Sequence, residues 1–170
     1  MRKIILNLAV TLDGFIEGEK GEYDWCFTDQ DYGMTDFLNR IDAIFFGRKS
    51  YELLIGTENN PYPDKKKYVF SNTLSALPYP AVLVKGNLEE EVMKIKKQDG
   101  KDIWLFGGAE LTKVFLEKKW VDELLLSIHP LLLAKGKLLF HGLNEKIELH
   151  LLHTAAYPSG LVQVHYEVKK

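Results

Sequence analysis

Short apolar runs alternate with segments of helical periodicity along the first 120 residues. Each run ends at or just before a turn former, as buried strands do; the runs cover residues 4–10, 43–46, 67–70, 81–84 and 103–106. Apolar positions spaced three and four apart predict helices over residues 35–41, 50–55, 88–98 and 109–119, with Asn87 capping the third. Gly56 and the polar loop 57–66 separate the second helix from the next strand. Strands separated by helices are typical of a largely parallel sheet.

The last third of the chain has a different pattern. Residues 122–133 predict a long strand and residues 147–154 a further one, while residues 162–168 alternate apolar and polar positions with a period of two. A turn at residues 157–160 joins the last two strands into an antiparallel hairpin. The sequence therefore predicts an α/β fold with a mixed, mostly parallel sheet and a C-terminal antiparallel hairpin.

Composition narrows the class of protein. The 170 residues predict one domain over 1–170, and 22 basic against 24 acidic residues give a net charge of −2. No basic run or long apolar segment points to nucleic acid or a membrane. Cys26 is the single cysteine, which excludes an internal disulfide and an all-cysteine metal site. The N-terminus does not resemble a signal peptide. We therefore expect a reduced, cytoplasmic domain without a metal.

Three strand ends carry small or polar residues that suit an anionic ligand. Glycines open backbone N–H groups, helix N-termini add their dipoles, and cations neutralise charge. Because the carboxyl ends of parallel strands meet at one edge, we expect one crevice for a dinucleotide. The alternative is that these residues are ordinary turn formers and solvated surface residues. They are Gly47, Arg48, Lys49 and Ser50; Ser71 and Asn72; and Gly107, Gly108, Ala109 and Glu110.

The histidines and the cysteine give weaker signals. His150 and His153 are an odd number of positions apart on a predicted strand, so they face opposite sides and do not share a metal. His129 ends a strand and is expected to be structural. Cys26 has no base beside it in sequence, which favours an inert thiol.

Five segments carry a family resemblance: residues 9–14 (AVTLDG), 46–52 (FGRKSYE), 71–73 (SNT), 105–111 (LFGGAEL) and 121–124 (VDEL), the last leading to His129, Pro130 and Gly136. With Trp25 downstream of the first segment, they resemble the dihydrofolate-reductase-like superfamily. Within it, the chain is most similar to the reductase domain found at the C-terminus of bifunctional riboflavin-biosynthesis enzymes, in stand-alone form. The resemblance implies a three-layer α/β/α fold with an eight-stranded sheet, and NADPH as cofactor.

The resemblance also implies roles for individual residues. Ala9 would lie beside the nicotinamide, Arg48 with Lys49 would hold phosphate next to Gly47 and Ser50, and Ser71 with Asn72 would border the adenosine. Gly107, Gly108, Ala109 and Glu110 would offer backbone groups to the pyrophosphate. Relatives are often homodimers, for which the apolar stretch 124–133 is the predicted interface.

Substrate binding and catalysis are the remaining implications. Folate reductases have a catalytic carboxylate on a helix below the substrate. Counting back from Gly47 without gaps, Asp31 is its nearest equivalent in this chain. The alternative is that Asp31 is an exposed acid at the start of a helix. Asp13, Trp25 and Phe106 are the expected substrate neighbours. Riboflavin reductases commonly have glutamate where this chain has Phe106, so the substrate class stays open between them and folate reductases.

Two functions follow from these residues. The first is an NADPH-dependent oxidoreductase that transfers hydride to a small heterocyclic substrate, either pterin- or dihydrofolate-like or 5-amino-6-(5-phosphoribosylamino)uracil-like. The second is a non-catalytic NADP(H)-binding or ligand-sensing protein that kept the cofactor cleft. A third, plainer alternative is a domain whose glycines are structural and which binds no dinucleotide.

Overall fold

Ten strands and four helices form within the described residues of the computed structural model, which are 1–55, 60–78 and 80–170. The strands are β1 (Ile4–Thr11), β2 (Phe15–Glu17), β3 (Ile41–Gly47), β4 (Lys66–Phe70), β5 (Val82–Val84), β6 (Asp102–Gly107), β7 (Glu123–His129), β8 (Lys137–Leu138), β9 (Leu149–Ala156) and β10 (Val162–Val168). The helices are α1 (Met34–Arg40), α2 (Arg48–Ile55), α3 (Leu88–Lys96) and α4 (Ala109–Glu117). Gly56 and the first residues of the predicted loop 57–66 lie outside the described residues.

Eight of the strands form one mixed sheet in the order β5-β4-β3-β6-β1-β7-β10-β9. All neighbours from β5 to β7 are parallel, whereas β10 runs antiparallel to both β7 and β9. The hairpin between β9 and β10 is closed by the N–H of Gly160, which donates to the Tyr157 carbonyl at 2.9 Å. This topology confirms the predicted mixed sheet and its C-terminal antiparallel hairpin.

Side chains on the two faces of the sheet enter two separate buried clusters. Ile4 of β1 packs with the cluster that contains Val92 of α3 and Phe115 of α4. Its neighbour Ile5 packs with the cluster that contains Phe37 of α1, on what we call the α1 face. Successive strand residues point to opposite faces, so the apolar run of β1 supplies both clusters. Helices on both sides of the sheet give the expected three-layer α/β/α fold.

Several predicted boundaries differ from the structure, and one small sheet was not predicted. Ile41 begins β3 rather than ending the helix, since its backbone is extended (φ −110°, ψ 157°). The strand predicted over 122–133 ends at His129, and the N–H groups of Leu133 and Ala134 donate to the carboxylate of Asp13 instead. The two-stranded sheet of β2 and β8 was not predicted, because strands of two and three residues are too short to show a period.

The strand β7, which contains most of the predicted dimer interface, lies inside the sheet. The strand lies between β1 and β10 and pairs with both. Leu124 and Leu126 are buried within the cluster on the α4 side. Within residues 124–133, Leu124, Leu126 and His129 are buried, whereas Leu132 is 70% exposed. The strand β7 is therefore not a free sheet edge, and the interface over 124–133 stays a prediction.

No helix among residues 1–55, 60–78 and 80–170 is both long and apolar enough to cross a membrane.

A buried carboxylate anchors the amino ends of the parallel strands. Glu123, only 3% exposed, lies 2.7 Å from Nζ of Lys3, 2.8 Å from Nη1 of Arg40 and 2.7 Å from Nε2 of His165. Burial alone would raise the pKa of Glu123, but hydrogen bonds from these three groups lower it to about 2. Arg40 also binds Asp102 at 2.8 Å, so the network joins α1 to β1, β6, β7 and β10.

We expect Glu123→Gln to lower the free energy of unfolding by about 3 kcal/mol at pH 7, because removing one partner of a buried ion pair leaves the other charges uncompensated. The pKa of about 2 lies below the ordinary value of 4.5. The stabilisation is therefore fully present above pH 4.5 and is lost as the pH falls towards 2. Urea unfolding of the wild-type protein and of Glu123→Gln at several pH values measures this difference in the free energy of unfolding.

Glu167→Gln is the matched control, because Glu167 lies directly across the ladder from Glu123 but is exposed. We expect it to change stability by less than about 0.5 kcal/mol. Equal losses in the two variants would show that Glu123 does not anchor the edge.

Candidate functional site

The sheet opens between β1 and β6 at its carboxyl edge. The ladder between these strands runs only from Ile4↔Ile103 to Leu6↔Leu105. Beyond it, β1 continues to Thr11 against β7, while β6 shifts register and pairs Gly107 with Phe46 of β3. Crevices outside the carboxyl ends of parallel strands are where open α/β sheets bind ligands. This gap is therefore the candidate functional site.

Two glycine-containing strand ends meet beside the gap. A Cβ atom on Gly47 would lie 3.4 Å from the carbonyl oxygen of Gly107 and 3.5 Å from the nitrogen of Gly108. A Cβ atom on Gly108 would lie 3.3 Å from Oγ of Ser50. The separation at Gly108 is tighter than most side-chain contacts, whereas those at Gly47 are van der Waals contacts with the backbone of the glycine pair. The N-termini of α2 and α4, which begins at Ala109, are consequently brought side by side.

Cations follow the first of these strand ends. Arg48 begins α2 and is exposed, with Nη1 3.1 Å from Oε1 of Glu52 one turn later. Lys49 is also exposed and forms no ion pair within the described part of the chain. The first turn of α2 contains no acidic residue, so this helix end carries net positive charge.

Ser71 and Asn72 follow β4, one strand beyond Gly47. The N–H of Ser71 donates to the Val84 carbonyl at 3.3 Å. Its hydroxyl oxygen accepts from the N–H groups of Thr73 and Leu74 at 3.3 and 3.2 Å. Asn72 is exposed. The structure therefore shows the hydroxyl of Ser71 forming a turn, at the outer end of the same edge.

A buried hydroxyl lies beneath the glycine pair. Thr112 of α4 is fully buried, and its Oγ1 has no hydrogen-bond partner among the described residues. It is 3.6 Å from the position that a Cβ atom would take on Gly107. Glu110, in the first turn of α4, points outward, with Oε1 3.2 Å from Nε2 of His141. The backbone of Glu110 therefore belongs to the helix N-terminus, while its side chain points away from it.

A row of small and polar side chains crosses the α1 face beside the gap. Ala9 of β1 pairs with Ser127 of β7, which in turn pairs with Gln163 of β10. The amide nitrogen of Gln163 donates to Oγ of Ser127 at 3.2 Å and to the Tyr32 carbonyl at 2.6 Å. These contacts fix the polar row under the loop that precedes α1.

His129 closes one side of the site as a structural residue. Its Nε2 accepts the N–H of Phe27 at 3.1 Å, so Nδ1 carries the proton and donates to the Ser127 carbonyl at 3.0 Å. Burial lowers the pKa of His129. The Trp25 ring packs edge-on, its centroid 5.2 Å from that of the imidazole, and its buried indole N–H has no partner in the described residues.

The two predicted acids have structural partners. Asp13 accepts hydrogen bonds from Thr11, Leu133 and Ala134, which hold its pKa below the ordinary value although burial acts the other way. Asp31 is exposed and accepts from the hydroxyl and the N–H of Thr35 at 2.7 and 3.1 Å, which lowers its pKa. These contacts match the exposed helix-start acid that is the alternative for Asp31, and its catalytic role stays a prediction.

Aromatic rings line the β6 side of the α1 face. The ring centroid of Phe106 is 4.8 Å from that of Phe46 and 5.0 Å from that of Trp104. Burial raises the pKa of the Cys26 thiol to about 11, which matches the inert thiol predicted for it. Within the described residues, no group of three or more His, Cys, Asp or Glu side chains is placed to hold a metal ion.

Sequence reasoning missed two polar residues of this face, Asn7 and Ser127. Asn7 is 6% exposed, and its carbonyl accepts the indole N–H of Trp104 at 2.8 Å. An amide in the middle of an apolar strand was the available signal for Asn7. The sequence contains no signal for Ser127, because only its pairing with Ala9 in the sheet places it beside the gap.

Comparison with known proteins agrees with this geometry. Two proteins of Bacillus subtilis (strain 168) are similar over nearly the whole chain: uncharacterized protein YyaP at 49% identity (97% of this chain, 94% of YyaP) and uncharacterized protein YwjB at 34% (97% of each). The crystal structure of a putative riboflavin biosynthesis protein from Shewanella sp. PV-4 superposes with a TM-score of 0.90 at 25% identity, covering 99% of both chains.

A more distant neighbour shares the fold. Dihydrofolate reductase from Enterococcus faecalis, complexed with NADP(H) and RAB-propyl, superposes with a TM-score of 0.73 at 15% identity, covering 99% of this chain and 97% of that one. The sequence profile of the RibD C-terminal domain matches residues 2–163. The chain therefore belongs to the RibD C-terminal domain family and has a dihydrofolate-reductase-like fold.

Proposed function

We propose that this protein is an NADPH-dependent reductase that transfers hydride to a small heterocyclic substrate. The observation that carries the proposal is the gap between β1 and β6, flanked by two helix N-termini whose glycines bring backbone groups together. The likeness to the putative riboflavin biosynthesis protein and to a dihydrofolate reductase complexed with NADP(H) supports it. Reductase families of this type act on pterin- or dihydrofolate-like rings or on 5-amino-6-(5-phosphoribosylamino)uracil.

The residues beside the gap fit a phosphate-bearing dinucleotide. The backbone of Gly107, Gly108, Ala109 and Glu110 would take the pyrophosphate at the start of α4, with the unpartnered hydroxyl of Thr112 below it. Gly47, Arg48, Lys49 and Ser50 would hold phosphate at the start of α2. Ser71 and Asn72 would border the adenosine at the outer strand end. When bound, the reduced nicotinamide supplies the hydride, and Ala9 would lie beside it.

The substrate would occupy the α1 face. Phe106 offers an apolar ring there, and Trp25 closes the far side with Asp13 at the lip. We propose that solvent supplies the proton, because Asp31 is exposed and its pKa is lowered. Phe106 disfavours a substrate that needs a charged partner at that position.

Two measurements test the function. The first is a titration of the protein with NADPH, and the second follows the loss of reduced-nicotinamide absorbance with pterin, folate and pyrimidine substrates. We expect binding in the micromolar range or tighter (about −8 kcal/mol), and oxidation that depends on one substrate class. Binding without turnover on any of these would identify the non-catalytic NADP(H)-binding or ligand-sensing alternative. Absence of NADPH binding would overturn both.

Arg48 provides the test of cofactor preference. We expect Arg48→Ala to weaken NADPH binding about tenfold, since charge-assisted hydrogen bonds contribute about 1.5–3 kcal/mol, while NADH binding stays unchanged. Glu52→Gln should strengthen NADPH binding by a few-fold (about threefold), because it releases Arg48 from its ion pair. Isothermal titration with both cofactors measures the two effects.

Lys94→Ala on α3 is the control for the loss of one exposed cation, since Lys94 is 68% exposed and its ion pair is with Glu91 of the same helix. It should change neither affinity. If Arg48→Ala weakened NADPH and NADH equally, Arg48 would not distinguish the two cofactors.

We also propose that the protein is a homodimer joined through β9. This strand forms one edge of the sheet, and Leu149, Leu151 and Leu152 are 38%, 48% and 46% exposed. None of its eight residues is Asp, Glu, Lys, Arg or Pro. Edge strands usually carry such residues to prevent pairing between molecules, so their absence favours a partner strand from a second copy.

Leu151→Lys should shift the protein from dimer to monomer in analytical ultracentrifugation, because the cation would lie in the apolar contact. Val82→Lys, at an exposed position (43%) of the opposite edge strand β5, is the matched control and should leave the mass unchanged. A wild-type protein that sediments as a monomer would refute the proposal.

A further inference from the structure

Asn7 is the most unusual residue of the sheet. It lies in β1 among isoleucine, leucine, alanine and valine residues and is 6% exposed. Trp104 binds its backbone carbonyl, but the side-chain amide has no hydrogen-bond partner among the described residues. Buried polar side chains in native proteins almost always have a partner, and exceptions commonly mark a place where water or a ligand completes the set. The polar atoms of Asn7 are not among the fully enclosed unpartnered atoms of the described residues, so water or a ligand can reach the carboxamide and complete its hydrogen bonds.

The position of Asn7 directs its side chain towards the proposed substrate. Alternation along β1 places it on the α1 face with Ile5 and Ala9. It is also the first residue of β1 beyond the ladder to β6, where the gap opens. The carboxamide thus lies on the α1 face beside the gap, two residues from the expected nicotinamide contact.

Ser127 supplies a second polar group beside it. Its hydroxyl oxygen accepts a hydrogen bond from Nε2 of Gln163, which leaves the hydroxyl proton to be donated elsewhere. The orientation of Gln163 is fixed, since its nitrogen also donates to the Tyr32 carbonyl and its oxygen accepts from the Tyr157 hydroxyl at 3.2 Å. Ser127 pairs directly with Ala9.

We propose that Asn7 and Ser127 recognise the neutral lactam edge (–NH–C=O) of the substrate ring. A carboxamide presents one donor and one acceptor side by side, which matches the acceptor and donor of a lactam. The Ser127 hydroxyl donates to a further ring carbonyl. Asn7, Ala9, Ser127 and Phe106 are all uncharged, so the site selects a neutral ring over a cationic one. This inference rests on the proposed function and specifies its substrate class.

Two pteridines that differ only in lactam N–H groups test the inference on the wild-type protein. Lumazine (pteridine-2,4-dione) has both N–H groups, and 1,3-dimethyllumazine has neither. In fluorescence titrations with and without NADP⁺, we expect lumazine to bind at least about tenfold more tightly, the effect of one well-made hydrogen bond or more. Equal affinities, or no binding of lumazine, would overturn the inference.

Variants of Asn7 assign the effect to its side chain. Asn7→Leu should weaken lumazine binding about tenfold and leave 1,3-dimethyllumazine and NADPH unaffected. Asn7→Asp should shift the preference towards 2,4-diaminopteridine, because a carboxylate pairs with a protonated amidine edge. Asn39→Leu on α1, where the asparagine is exposed, is the control. An Asn7→Leu protein that binds lumazine like wild type would refute the role of Asn7.

The NADPH titration separates this inference from the proposed function. If the wild-type protein binds NADPH but does not discriminate between the two pteridines, the reductase proposal stands and the lactam recognition is refuted. If the protein discriminates between the pteridines but binds no NADPH, the recognition site stands and the reductase proposal is refuted.

Discussion

The approach of Gly47 to the glycine pair after β6 is the constraint on which the site depends. The carbonyl oxygen of Gly107 would lie 3.4 Å from a Cβ atom on Gly47, so these two strand ends meet through backbone alone. This contact keeps the end of β6 against β3, and β1 keeps its own pairing with β7. The ladder between β1 and β6 ends at Leu6↔Leu105, and the gap begins there. The same contact sets the N-termini of α2 and α4 beside the opening.

Charged groups are distributed differently at the amino and carboxyl ends of the parallel strands. At the amino ends, a buried carboxylate binds three cationic or ionisable groups and holds α1 against four strands. At the carboxyl ends, Asn7, Ala9 and Ser127 on the α1 face are uncharged, and the exposed start of α2 carries Arg48 and Lys49. Stability can thus rest on charge pairs remote from the opening. The opening is left with unsatisfied neutral donors and acceptors, which suits ligand binding.

The strands with strong periodicity and the Asn87 cap, whose side chain accepts from the Glu90 N–H at 3.3 Å, were predictable from sequence. Parallel order then placed Gly47, Ser71 and Gly107 at one edge. For Asp31 the sequence leaves two alternatives open, because an exposed aspartate has the same local sequence signal whether it caps a helix or protonates a substrate. Ser127 was not predictable either, since its neighbours Ala9 and Gln163 are far away in sequence and meet it only through the sheet register.

Phe106 and Asn7 together constrain the substrate more than either does alone. An aromatic ring in place of the glutamate common in riboflavin reductases removes a charge from the β6 side of the opening. A carboxamide without a partner then remains as the polar group on the β1 side. Burial of a charged ring beside such groups would be unfavourable, whereas a neutral ring with its own donors and acceptors would satisfy them. Phe106 in place of that glutamate is therefore compatible with the proposed site for a neutral ring and does not require its loss.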